Sequence, residues 1–275
     1  MLLKLQVKNL SFAYYVTPVL KQVSFEMSSA EVVCLVGPNG SGKSTLIRCI
    51  DAILKPNRGG IFIDGEDTRR IPRRELAKRM GYVPQGAPQV FSTTVFDSVL
   101  MGRRPHAYWR SSDKDVDKVV EVLQLLGLED LAFRDCNELS GGQLQRVIIA
   151  RALAQEPDIL LMDESTSALD ISHQLEVMET LISLVRGRNI AAVMVMHDLN
   201  MASRYADRVL MLKEGAVFSE GTPAQIFTEE NIASVYGVVA SVRTDHDGMI
   251  SIVPIRRVAL PDFTEEEEAE VFGRE

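Results

Sequence analysis

The stretch Gly37-Pro38-Asn39-Gly40-Ser41-Gly42-Lys43-Ser44 decides the fold. An apolar run, Val32-Val33-Cys34-Leu35-Val36, comes before it, and an amphipathic run over residues 45–54 follows. A strand, a glycine loop and a helix in that order make a phosphate-binding unit. The glycines let the chain curl until successive N–H groups point at one anion. The helix adds the positive end of its dipole at the same spot. Lys43 is then placed to reach the outer phosphates as a point charge, and the Ser44 hydroxyl to ligate Mg²⁺. The expected nucleotide contacts are Gly37, Pro38, Asn39, Gly40, Ser41, Gly42, Lys43, Ser44 and Thr45.

Working outward, residues 4–9 and 19–27 read as strands joined by a loop over residues 14–18. Ile61-Phe62-Ile63 is a short strand left at Asp64-Gly65, and Gly81-Tyr82-Val83-Pro84 contains another. The basic, helix-prone segment over residues 69–79 reads as a solvated face. From about residue 94 to residue 153 the pattern is helical. Val116, Val119, Val120, Leu123 and Leu126 recur at helical steps, and Gly127 stands where a helix stops. Strands resume at Ile159-Leu160-Leu161-Met162, whose unbroken apolar character suits a central parallel strand. Asp170 is expected to cap a helix ending near Gly187, with a strand over residues 190–196 after it. Residues 208–212 and 216–219 flank Lys213-Glu214-Gly215 as a hairpin. Beyond Pro223 come short helices, a second hairpin around Asp245-His246-Asp247-Gly248, and an acidic run over residues 265–268. The expected class is α/β: a nucleotide-binding, mostly parallel sheet with a helical insertion between Gln85 and Asp158.

Two further constellations carry chemistry. The apolar strand at residues 159–162 ends in Asp163 and Glu164. Asp163 is placed to hold the Mg²⁺ shell opposite Ser44, and Glu164 to orient and deprotonate an attacking water. Leu139-Ser140-Gly141-Gly142-Gln143 opens a helix and forms a second anion-binding surface. One nucleotide does not need two such loops from one molecule. Two copies related by a two-fold axis would need them, each nucleotide being clamped between one loop from each copy.

The totals narrow the class. The chain has 275 residues, 46% of them hydrophobic, enough for one large or two modest domains. No apolar run approaches the roughly eighteen residues that span a bilayer, and the start lacks a secretion signal, so a cytoplasmic protein is expected. A net charge of −8 argues against a general electrostatic grip on nucleic acid. Cys34, Cys49 and Cys136 have no metal spacing, and Cys34 and Cys49 read as small core residues.

With these motifs in that order, the chain resembles the ATP-binding cassette (ABC) ATPases over about residues 3–222. The resemblance implies a phosphate-binding-loop NTPase core with an N-terminal antiparallel β subdomain and a helical subdomain over roughly residues 86–157. Residues 223–275 form a C-terminal extension. It implies ATP and Mg²⁺ as cofactors, and roles for further residues. Gln85 matches the glutamine that touches the metal or the water, and His197 the histidine at the γ-phosphate. Ser167-Ala168-Leu169-Asp170 matches the loop that communicates across a dimer. Tyr14 matches the aromatic stacked on adenine, with Tyr15 as its rival. Ser165 stands where the family has proline, which puts local rigidity in doubt but leaves both carboxylates. Residues 95–106 and the ending Val235-Tyr236-Gly237-Val238 resemble ATPase subunits of importers for iron–siderophore, haem and cobalamin. Close relatives handle zinc or manganese, and an exporter ATPase is the strongest rival. The implied partners are a second copy, polytopic membrane permease subunits and an extracytoplasmic substrate-binding protein. The implied site of action is the cytoplasmic face of the membrane. Tyr108 and Trp109 face either the permease or the insertion itself. A DNA-repair cassette would need a long coiled coil, a translation cassette two cores, and a small-molecule kinase has no use for residues 139–143.

Overall fold

The computed structural model describes residues 3–86, 92–107, 111–164, 170–246 and 248–258. Tyr108, Trp109, Ser165, Ser167, Ala168, Leu169, the Asp247 of the second hairpin turn and the acidic run at 265–268 lie outside them. The N-terminal half contains β1 (Leu3–Tyr14), β2 (Thr17–Ser28), β3 (Val32–Val36), α1 (Lys43–Ile50), β4 (Arg58–Ile63), β5 (Glu66–Asp67), α2 (Arg73–Arg79) and β6 (Met80–Val83). Then come α3 (Val95–Leu100), α4 (Asp113–Leu125) and α5 (Gly141–Ala154). β7 (Ile159–Asp163), α6 (Ile171–Gly187), β8 (Ala191–Val195), α7 (Leu199–Tyr205), β9 (Arg208–Lys213) and β10 (Ala216–Gly221) complete the core. The chain continues through α8 (Pro223–Ile226), α9 (Glu229–Tyr236), β11 (Val238–Thr244) and β12 (Ile250–Arg257).

The main sheet runs β10-β9-β3-β8-β7-β6. Its neighbours from β9 to β6 pair in parallel, and β10 returns antiparallel at the edge. Every residue of β3, β7 and β8 is buried, which explains their unbroken apolar sequences. Side chains alternate between two cores, as the two-residue strand period requires. Val32, Cys34 and Val36 join residues of α4, α5 and α6, while Val33 and Leu35 join α1 and the antiparallel sheet β2-β1-β4-β5. Between β1 and β2 the expected loop is instead a tight turn: Tyr14 pairs with Thr17, and Tyr15 takes a left-handed φ of 53°. The helix after the glycine loop starts at Lys43 and ends at Ile50, short of residue 54.

In α4 the buried face is Asp115, Val119, Val122 and Leu123, opened by a capping box between Ser112 and Asp115. Val116 and Val120, which share the helical steps of the sequence, are exposed. They lie one position along from Asp115 and Val119, which turns them by about 100° out of the contact. Asp115 lies inside because it meets Arg103, whose Nε donates to it at 2.9 Å. The Arg103 Nη1 also donates to the Ala154 carbonyl and to Glu156, each at 2.7 Å, tying the insertion to the end of α5. Beyond the core, Ile226, Phe227, Ile232, Val235, Ala240 and Ile252 enter the same apolar cluster as β3 and α5.

Candidate functional site

In a parallel sheet all strands end on one edge, so loops that follow neighbouring strands meet there. Val83 pairs with Met162, and Asp163 with Val195, which brings the residues after β6, β7 and β8 side by side. The glycine loop follows β3, the neighbour of β8. That edge is where the candidate residues collect.

The loop is shaped by close approaches. A Cβ on Gly37 would stand 2.3 Å from the Leu212 carbonyl oxygen, so the backbone of β9 passes where any side chain would be. Gly42, at φ 100°, starts α1 from a left-handed conformation that a side chain would strain. Lys43 is buried, and its Nζ donates to the carbonyls of Gly37 at 2.8 Å and Pro38 at 3.0 Å. Burial lowers its pKa from the ordinary lysine value, and the carboxylates of Glu164 and Asp163 pull it back up. Ser41 is also buried, with its Oγ unpartnered among the described residues.

The Ser44 hydroxyl donates to Asp163 Oδ1 at 2.8 Å, joining the start of α1 to the end of β7. Asp163 is fully buried, and burial raises its pKa against the opposing pull of that hydrogen bond. Its Oδ2 is buried with no partner among the described residues. An orphaned carboxylate oxygen beside a hydroxyl is an all-oxygen donor set, and it fits a hard divalent cation such as Mg²⁺. Among the described residues no cluster of three or more His, Cys, Asp or Glu could form an all-protein cage. That matches a metal held by one or two side chains and phosphate oxygens.

Glu164 follows β7 with a left-handed φ of 51°, a conformation that costs energy in a non-glycine residue. It is held from both sides: Gln85 Nε2 donates to Oε2, and His197 Nε2 meets Oε1. Gln85 and Glu164 are 79 residues apart in sequence. His197 precedes Asp198, whose side chain caps α7 by accepting from the amides of Asn200 and Met201.

The other expected residues lie apart from this cluster. Tyr14 is partly exposed at the end of β1, edge-on to Phe12 with ring centroids 4.8 Å apart, whereas Tyr15 is fully exposed. Ser140 caps α5 in a capping box: its Oγ accepts from the Gln143 amide at 3.3 Å, and its own amide donates to Gln143 Oε1 at 3.0 Å. Ser140 and Gly141 are exposed, and nothing lies within 4 Å of where a Cβ on Gly141 would be. Gly142 and Gln143 are half-buried. Asp170 caps α6, accepting from the His173 amide at 2.9 Å, and that bond holds its carboxyl below the usual range. Within one chain, then, the second glycine loop faces outward while the first meets the paired carboxylates.

The family profile described as "ABC transporter" matches residues 20–167. An uncharacterised ABC transporter ATP-binding protein of Methanocaldococcus jannaschii is 50% identical over 254 residues, covering 92% of this chain and 99% of that protein. The ferric enterobactin transport ATP-binding protein of Escherichia coli is 36% identical, over 93% of this chain and 96% of its own length. Among solved structures, a metal-chelate type ABC transporter in an inward-facing conformation matches with a TM-score of 0.80 and 31% identity. That match covers 92% of this chain and 98% of the other.

Proposed function

The chain belongs to the ABC transporter ATPase family, and on that premise we propose that it powers import of a metal chelate through a separate membrane permease. As a member of the family it is an ATP-binding subunit that hydrolyses ATP. The observation that carries the catalytic reading is the convergence of Gln85 and His197 on Glu164, beside the Ser44–Asp163 pair. Glu164 is the base: its two oxygens are aimed by neighbours, and a water bound to it would be oriented for attack. Lys43 neutralises the outer phosphates, for which it exchanges the Gly37 and Pro38 carbonyls. His197 stabilises charge on the γ-phosphate. Gln85, Ser44 and Asp163 would hold Mg²⁺, which when bound neutralises phosphate charge. Tyr14 supplies a face for adenine, and Thr45, next to Ser44, lines the phosphates.

Ser140 has used an acceptor lone pair on its own helix cap, which leaves its hydroxyl proton for a phosphate oxygen of a nucleotide on a second copy. Gly141, Gly142 and Gln143 frame that contact, and Asp170, at the start of α6, serves communication with the twin. Residues 1–222 act as the ATPase domain and 223–275 as its extension. Among the described residues no helix is long and apolar enough to cross a membrane, so the transport path is assigned to the permease. Docking is assigned to the cleft of about 450 Å³ between the end of α1, α2 and β6, lined by Asp51, Ile53, Arg73, Leu76, Tyr82 and Gln155. On this reading the protein works at the cytoplasmic face of the membrane, with an extracytoplasmic binding protein delivering cargo to the permease. The cargo class follows the ferric enterobactin relative and the metal-chelate structure.

Phosphate release from Glu164→Gln tests the catalytic role. The variant is expected to bind ATP normally and to lose about a hundredfold or more in turnover. Turnover within a few-fold of the unsubstituted protein would remove Glu164 as the base.

A further inference from the structure

The C-terminal extension is bonded to α7, the helix that begins two residues after His197. Asn200 on that helix makes both amide bonds to one residue of β12: its Oδ1 accepts from the Ile252 amide at 2.7 Å, and its Nδ2 donates to the Ile252 carbonyl at 3.3 Å. Ser203, one turn further on, donates to the Asn200 carbonyl at 2.8 Å and lies 3.0 Å from the Ile250 carbonyl. Below these bonds Ile252 is buried in the same apolar cluster as Ala202 and Tyr205. A helix of seven residues has little rigidity of its own, so its orientation is set by what grips it.

We propose that the β11–β12 hairpin is a positioning element of the ATPase site, with Asn200 and Ser203 setting His197 through α7. This rests on the ATPase reading above. The hairpin is bonded to the helix behind His197, so displacing it changes hydrolysis without touching the nucleotide. Asn200 and Ser203 touch no substrate; they act through His197.

The test compares Asn200→Ala, Ser203→Ala and Ser203→Thr in the full chain, with Val253→Ser on the outward face of the hairpin as control. Turnover is normalised to folded protein well below Tm, and the ring resonances of the chain's four histidines are followed by NMR. The proposal expects the His197 resonances to shift or broaden in Asn200→Ala, with those of His106 and His173 unmoved. It expects kcat to fall about tenfold with KM for ATP within about twofold. Ser203→Thr restores what Ser203→Ala loses. An unmoved His197 signal in Asn200→Ala, or an equal loss of kcat from Asn200→Ala in a His197→Ala background, overturns the proposal. Failure of the unsubstituted protein to hydrolyse ATP would sink the ATPase reading instead, so the two failures are told apart.

Discussion

Asp51 caps the end of α1, where the helix dipole is negative and a carboxylate is unwelcome. Burial pushes its carboxyl up to about 7 from an ordinary value near 4. Between those values the folded protein holds a proton that the unfolded chain releases, so stability falls as pH rises from about 4 to about 7. An asparagine at this position would carry no such cost. Asp51→Asn is therefore expected to match the unsubstituted protein in urea denaturation near pH 4 and to exceed it at pH 8, by up to about 4 kcal/mol. Equal stabilities at pH 8 would contradict a buried, proton-holding Asp51. The same residue lines the cleft assigned to the permease, so the cost of its charge falls at a surface proposed to be covered in the assembly. At the site itself the stored cost is in Glu164, whose left-handed backbone is held by the contacts from Gln85 and His197.

At the scale of elements, the helical insertion is fixed by one buried ion pair and one close approach. A Cβ on Gly102 would lie 2.1 Å from the Arg151 carbonyl, so the turn after α3 rests directly on α5. Arg103 reaches from that turn to Asp115 and to the end of α5. Bonds from the Ser112 amide and hydroxyl, with Arg103, hold the Asp115 carboxyl at about 2. Arg103→Met leaves that charge buried without its cation, and denaturation is expected to show a loss of about 3–5 kcal/mol. Replacing both, as in Arg103→Met with Asp115→Leu, should recover the loss down to about 1 kcal/mol for the cap that Asp115 makes with Ser112; no recovery at all would contradict a stranded charge as the main cost. This pair also shows where sequence reading stops. Helical periodicity marks α4, but it carries no sign that Asp115, rather than Val116, lies on the buried face. The arginine that justifies Asp115 stands 12 residues earlier, and periodicity carries no sign of it. The glycine loop, by contrast, was legible because its strand, turn and helix are contiguous and the chemistry depends on local backbone shape. The bonds of Asn200 to Ile252 join residues far apart in sequence through single groups, which no local pattern announces.

For the whole molecule, one geometric fact organises the account. The first glycine loop, the paired carboxylates, Gln85 and His197 share the carboxyl edge of the parallel sheet, while Ser140 faces outward at the start of α5. Unbroken apolar runs mark buried parallel strands and helical steps mark the segment between β6 and β7, which is why the α/β class could be anticipated before any coordinates, whereas the strand order could not. The proposed clamp, completed by a second copy, would make ATP the agent that draws two chains together, and hydrolysis the event that lets them part. Light scattering after size exclusion of Glu164→Gln, with and without ATP and Mg²⁺, tests this most directly. The account predicts the monomer mass of 30.5 kDa without nucleotide and twice that mass with it, reverting to the monomer when Ser140→Arg is added. A Glu164→Gln protein that stays at the monomer mass in saturating ATP, or that dimerises equally well with Ser140→Arg, would contradict it.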